Sequence, residues 1–130
     1  MTPRPTRTRA CAPSDRDGRR AQAEGFWRDA EDLAALATGS PNTLVTLYVH
    51  AGIAAADAIC CARLGEYSTS GNHSDAVALL TRADATLAPA LQRLISVKSA
   101  AGYGAISMSS QRITDSRKAA ERLIAALRRV

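Results

Sequence analysis

Residues 51–65 read AGIAAADAICCARLG and lie in the most apolar stretch of this 130-residue chain, residues 41–64. Five small side chains recur there at helical spacing: Ala51, Ala54, Ala55, Ala58 and Ala62. A strip of this kind lets a neighbouring helix approach closely. We therefore predict a central helix over 41–64, with Ser40 as N-cap, Pro41 as its first residue and Gly65 as its C-terminal cap.

The rest of the chain predicts further helices packed around this one. Over 16–38, Phe26, Ala30, Leu33 and Ala37 fall on one helical face. Other apolar periodicities predict helices at about 74–83, at about 86–102, and from Ser109 or Ser110 to the end of the chain. No stretch alternates apolar and polar residues as a half-buried strand does. The expected fold is an all-α, up-and-down helical bundle of four main helices and a short extra one.

The net charge of +5 is concentrated at one end of the chain. Residues 1–20 hold six arginines and two aspartates, whereas residues 21–130 are almost neutral. Because the start is rich in proline and poor in large apolar residues, we expect residues 1–15 to be a disordered basic tail and residues 16–130 to be the domain. A basic arm can hold phosphates through charge alone. The alternative is a solvated leader without a role.

The composition also bounds the location and the cofactors. No uninterrupted apolar run reaches the roughly 18 residues that cross a bilayer, and the first 15 residues lack the apolar core of a secretory signal. We therefore expect a cytoplasmic protein without a membrane span. The three cysteines (Cys11, Cys60 and Cys61) and the two histidines lack a zinc-binding spacing, so we expect no metal and no cofactor. At least one of the adjacent pair Cys60 and Cys61 is expected to act as a small core hydrophobe.

Asp57 is the one acidic residue of the apolar helix, and a buried carboxylate needs a cation or a hydrogen bond. One interpretation is a site acid. The other is an interhelical pin to Arg63, Lys98 or a backbone amide. His50, on the same face, is interpreted as a core or interface histidine.

Two later segments carry a family resemblance. GNHSDAVALL (71–80) combines a loop with a His-x-Asp-x-x-x-Leu-Leu helix start, and LQRLISVKSAAGYG (91–104) contains a Lys-x-x-x-x-Tyr-Gly step. With the alanine-rich helix before them, residues 20–130 resemble the HEPN superfamily, in particular small bacterial HEPN-like proteins described as DNA-binding. The resemblance implies a helical bundle that forms a homodimer. Many members are metal-independent ribonucleases, often toxins paired with a nucleotidyltransferase-like antitoxin.

The ribonuclease motif of that superfamily is Arg, four to six residues, then His on a late helix. Here Arg63 lies ten residues before His73, and the late helix offers Lys98, four residues, then Tyr103. Lysine can bind phosphate as a point charge, but tyrosine titrates near 10 and is a poor proton shuttle at neutral pH. The resemblance therefore implies a nucleic-acid- or nucleotide-binding module without catalytic residues. Its candidate contacts are Arg63, His73, Lys98 and Tyr103.

Each candidate contact also has a structural interpretation. His73 can cap the short helix, Tyr103 can pack at a helix end with its hydroxyl on a backbone carbonyl, Lys98 can be a surface residue, and Arg63 can pair with Glu66. Two other functions remain open. One is a regulatory partner in a toxin–antitoxin or phage-defence system, with the alanine strip as its interface. The other is a weak metal-independent ribonuclease that uses Lys98 and Tyr103.

Overall fold

A computed structural model describes residues 7–130 and confirms an all-α bundle. Its elements are β1 (Thr8–Ala10), α1 (Pro13–Leu36), α2 (Pro41–Leu64), β2 (Glu66–Ser68), α3 (His73–Ala83), a 3₁₀ turn (Ala85–Leu87), α4 (Ala88–Tyr103) and α5 (Ser110–Leu127). The four long helices are α1, α2, α4 and α5, and α3 is the short one. The two short strands, which the sequence did not indicate, pair antiparallel.

Helix α2 has the bounds that its capping residues predict. The Ser40 hydroxyl accepts a hydrogen bond from the Thr43 amide at 3.2 Å, and Pro41 occupies the first helical position. At the other end Gly65 adopts a left-handed conformation with φ 71°, which favours glycine. Helices α1, α3, α4 and α5 all pack against α2, which makes it the centre of the core.

By length and mean hydropathy, α2 is also the one described helix that could cross a membrane. Its most apolar window has a mean hydropathy of 1.7, and 72% of that window is buried inside the bundle. Most of its apolar side chains are thus already covered by the other helices, as they are in a buried core helix.

The same burial corrects one interpretation of the alanine strip. Ala51, Ala55 and Ala58 are fully buried within the single chain, and Ala54 is nearly so. Of the five strip residues, Ala62 alone is exposed. The strip therefore packs helices of one molecule together and is not available as an interface with another protein.

Residues 7–15, which we expected to be part of a disordered tail, are instead ordered. Residues 1–6 of that predicted tail lie outside the described residues. Strand β1 pairs with β2, with Arg9 opposite Tyr67, and a disulfide joins Cys11 to Cys61 at the end of α2. Helix α1 begins at Pro13, where the Asp15 carboxylate accepts a hydrogen bond from the Ala12 amide at 3.0 Å. The partners of β1 and of Cys11 come from distant parts of the sequence, so the composition of the tail gave no sign of them.

Polar contacts tie α1, α2 and α5 together around Glu31. Its carboxylate accepts two hydrogen bonds from Arg117 at 2.9 and 3.0 Å and one from the Tyr48 hydroxyl at 3.0 Å. The Tyr48 ring also packs against Trp27, with ring centroids 5.7 Å apart. Burial and the neighbouring Glu31 raise the pKa of Tyr48 to about 12. Tyr48 therefore stays a neutral hydrogen-bond donor across the physiological pH range.

Candidate nucleic-acid interface

The four predicted contact residues do not form one site. Arg63 is exposed near the end of α2, and His73 is the first residue of α3. Lys98 and Tyr103 lie in the last half of α4, where Lys98 approaches His50 of α2. Thirteen residues of helix separate His50 from Arg63, which is about 20 Å along α2. Arg63 is therefore remote from the pair that α4 supplies.

Lys98 and Tyr103 line a cleft of about 280 Å³ between α2 and α4. We define the α2–α4 cleft by its lining: Thr46, Val49, His50, Lys98, Gly102 and Tyr103. It contains no carboxylate, and within residues 7–130 Lys98 makes no ion pair. The Tyr103 side chain is 91% exposed, so it does not pack at the helix end as its structural interpretation required.

His50 is the cleft residue that the sequence did not assign to a site. Its ring packs against Phe26 of α1, with centroids 5.4 Å apart. Burial, and then the positive charge of Lys98, lower the pKa of His50 below its usual value. The imidazole is therefore neutral at pH 7 and can both donate and accept a hydrogen bond. No local sequence pattern marks His50 as a site residue. It belongs to the cleft because its position on α2 faces α4, and only the packing of the helices reveals this.

His73 and Arg63 have other surroundings. His73 lines a small enclosed cavity of about 30 Å³ with Asp57, Cys60 and Ser68, which is room for about one water molecule. The N-cap of α3 is Asn72, whose side chain accepts a hydrogen bond from the Ser74 amide at 2.9 Å, so His73 is not the cap. The expected pairing of Arg63 with Glu66 is also absent, because Glu66 pairs with Arg82 at 3.4 Å.

Asp57 is an interhelical pin, but to a residue that the sequence did not suggest. Its carboxylate pairs with Arg19 of α1 at 3.2 Å, and the Arg19 guanidinium lies 4.1 Å from the centre of the Tyr67 ring. Arg19 thereby joins α1 to both α2 and β2. Burial raises the pKa of Asp57 to about 6, and Arg19 opposes that shift only in part.

This raised pKa predicts a pH-dependent stability. The folded state binds the Asp57 proton more tightly than the unfolded chain, whose reference pKa is 3.8, so the contribution of this group to stability is highest at low pH and falls as pH rises through 6. From pH 4.5 to 7.5 the loss from this one group is about 2 kcal/mol. Urea unfolding of wild type and Asp57→Asn at both pH values measures it. The unfolding free energy of wild type minus that of Asp57→Asn should fall by about 2 kcal/mol as pH rises from 4.5 to 7.5. A difference that does not change with pH would contradict the raised pKa of Asp57.

Cysteine and metal chemistry find no support at this cavity. Cys60 is a buried free thiol, and burial, with the nearby Asp57 and Glu66 carboxylates, raises its pKa to about 12. A thiol in that state is protonated at neutral pH and is therefore a poor nucleophile. Within residues 7–130, no three His, Cys, Asp or Glu side chains are grouped as a metal site requires. Cys60 is therefore the core hydrophobe expected of the adjacent pair.

Comparison with models of known protein families and with curated protein sequences yields no match to this chain.

Proposed function

We propose that this chain is a nucleic-acid-binding module of HEPN-like type that contacts its ligand through the α2–α4 cleft. The observation that carries the proposal is the presence together, in one acid-free cleft, of Lys98 without an ion-pair partner among residues 7–130 and a Tyr103 ring that is 91% exposed. A lysine supplies a point charge for phosphate, and an exposed aromatic ring supplies a stacking surface for a base.

The remaining lining suits the same ligand. A neutral His50 and the Thr46 hydroxyl offer hydrogen bonds to a sugar or to a base edge without adding charge. Leu36 and Ile106 are also exposed, but Tyr103 is the exposed large side chain that lies beside an unpaired cation in a cleft, among residues 7–130. A residue that stacks on a base needs that exposure. Arg63 and His73, which lie outside this cleft, are not part of the proposed contact.

No catalytic residue belongs to the proposal, because the Arg-to-His spacing of the HEPN ribonucleases is absent from the sequence. We further predict that the protein forms a homodimer and lies in the cytoplasm. A nucleotidyltransferase-like protein of a toxin–antitoxin or phage-defence system is its predicted partner. Incubation with RNA separates the binding module from the weak ribonuclease. Cleavage that disappears in Lys98→Ala and Tyr103→Phe would replace the binding proposal by the enzymatic one.

Binding of a fluorescein-labelled 20-nucleotide RNA, followed by anisotropy at low salt, tests the cleft. Base stacking on an aromatic ring contributes about 1–3 kcal/mol, so we expect Tyr103→Ala to weaken binding roughly 5- to 150-fold and Tyr103→Phe to retain most of it. Lys98→Ala should also weaken binding and reduce its salt dependence.

Arg16→Ala is the control, since it removes one exposed positive charge on α1, outside both the cleft and its lining. Its effect should be well below that of Lys98→Ala. Equal losses in the two variants would indicate attraction to the general charge of the protein rather than a site. Wild-type protein that binds neither RNA nor DNA at low salt would contradict the proposed function.

A further inference from the structure

A second positively charged surface runs between α4 and α5, away from the α2–α4 cleft. Two adjoining hollows of about 730 and 520 Å³ share Pro89, Arg93 and Asp115 and form one open groove. Four basic side chains line it, and we call it the α4–α5 groove: Arg93 from α4, and Arg112, Lys118 and Arg122 from α5.

Few of these charges are neutralised. Asp115 is the one carboxylate in the lining, and it pairs with Arg93 at 3.6 Å while accepting a hydrogen bond from Gln111 at 2.9 Å. Within residues 7–130, Arg112 and Lys118 make no ion pair. At the far end Arg122 donates to the Thr86 carbonyl at 3.2 Å.

One further acid acts on this end of the groove. Asp84 lies near enough to Arg122 and Arg63 for their charges to lower its pKa, after the hydrogen bonds that it accepts from Thr86. The net balance along the groove nevertheless remains positive. A groove with four basic side chains, two of them without an ion pair among residues 7–130, against two carboxylates attracts a ligand with repeated negative charges.

The spacing of the cations fits a chain of phosphates. Arg112 and Arg122 are ten residues apart on one helix, which is about 15 Å. A nucleic-acid strand carries a phosphate every 3.4 Å or so along the axis of a duplex, so this length covers several phosphates. Acidic peptides can satisfy single cations, but a regular row of charges matches a row of helix-borne cations better.

We propose that the α4–α5 groove holds the phosphate backbone of a bound nucleic acid while the α2–α4 cleft holds a base, an inference that rests on the proposed function. Helix α4 contributes to both surfaces, with Arg93 and Val97 on the groove side and Lys98 and Gly102 on the cleft side. About one helix diameter, roughly 10 Å, separates them, which a strand of a few nucleotides spans.

The salt dependence of binding tests the groove. For single strands the slope of log K against log salt is about 0.7 per phosphate contact, so the double variant Arg112→Gln with Lys118→Gln should lower the slope for the 20-nucleotide RNA by about 1.4. Relative to 1 M salt, this change of slope corresponds at 0.1 M to a roughly 25-fold weaker affinity. Arg16→Gln with Arg28→Gln removes the same number of exposed charges from α1, where each arginine pairs with the next residue, Asp17 or Asp29. This control for net charge should have a slope close to that of wild type.

Inorganic polyphosphate separates the groove from the cleft, because it has phosphates and no bases. We expect the groove variant to lose polyphosphate binding and Tyr103→Ala to retain it. An RNA slope that the groove variant leaves unchanged would overturn the inference, even if the cleft variants weaken binding. The converse result, with RNA and polyphosphate binding weakened by the groove variant alone, would support the groove and overturn the proposed role of the cleft.

Discussion

Replacing Cys11 by serine should lower the free energy of unfolding by about 4 kcal/mol, because the disulfide to Cys61 closes a segment with a sequence separation of 50 residues. In the chain-entropy description, a cross-link of that span removes about this much conformational freedom from the unfolded state. Few single substitutions have an effect as large. Urea unfolding of the oxidised protein and of the variant measures the difference.

Reduction offers an independent route to the same result. Wild type with a reductant should unfold at the denaturant concentration of Cys11→Ser, and the variant itself should not respond to the reductant. Cys60→Ala is the control, since Cys60 is a buried free thiol and its removal leaves the disulfide in place. Alkylation of Cys11 in the native, non-reduced protein would show that the bond does not form.

The disulfide also bears on where the protein functions. Structural disulfides persist in oxidising compartments, and cytosolic thiols are kept reduced in most organisms. A cytoplasmic chain would therefore lose this constraint together with the anchor of β1, which carries the exposed Arg9. A cytoplasmic location predicts three free thiols per chain, whereas an oxidising compartment predicts one, that of Cys60. Counting free thiols in protein taken from cells and quenched with acid distinguishes the two.

Local rules predicted helix bounds well where the ends of a helix depend on neighbouring residues. Ser40, Pro41 and Gly65 set both ends of α2 as predicted. The predicted start of α1 was wrong by three residues, although the residues that cap it, Pro13 and Asp15, are local. The segment before it was assigned to a tail because Cys61 and Tyr67, which hold it, lie at the far end of α2 and beyond. Composition reports what a segment can bury by itself and not what it pairs with.

The candidate site shows the same limit. Lys98 and Tyr103 were named together because of the family resemblance, and both lie on α4. Five residues of helix turn their side chains roughly 140° apart, so their common cleft depends on how α4 packs against α2. His50 joins them from α2, and Arg93 meets the bases of α5, through helix packing that no local pattern encodes. Arg63 is separated from His50 by about half the length of α2, and the sequence did predict that length. The consequence for the site is visible only when the packing of α4 against α2 is known.

At Gly52 of α2, side chains of α4 and α5 occupy the space that a Cβ atom would need, so a side chain there should be severely destabilising. A Cβ atom at this position would overlap the Leu94 side chain of α4 and lie 3.2 Å from Leu123 Cδ1 of α5. Both leucines are fully buried, so a larger residue at position 52 must displace side chains of the packed core. We expect Gly52→Val to cost about 3 kcal/mol or more, since the gain in helix propensity is only a few tenths of a kcal/mol.

Gly18 provides the matched comparison, because it lies within α1 and a Cβ atom added there would have no neighbouring atom within 4 Å. Gly18→Val should be neutral or slightly stabilising, as valine is the better helix former. Thermal and urea unfolding of the two variants, with circular dichroism to check helical content, give the comparison. Similar unfolding midpoints for both variants would mean that α2 does not approach α4 as closely as the buried Leu94 contact requires, and the alanine-rich stretch would then need another explanation.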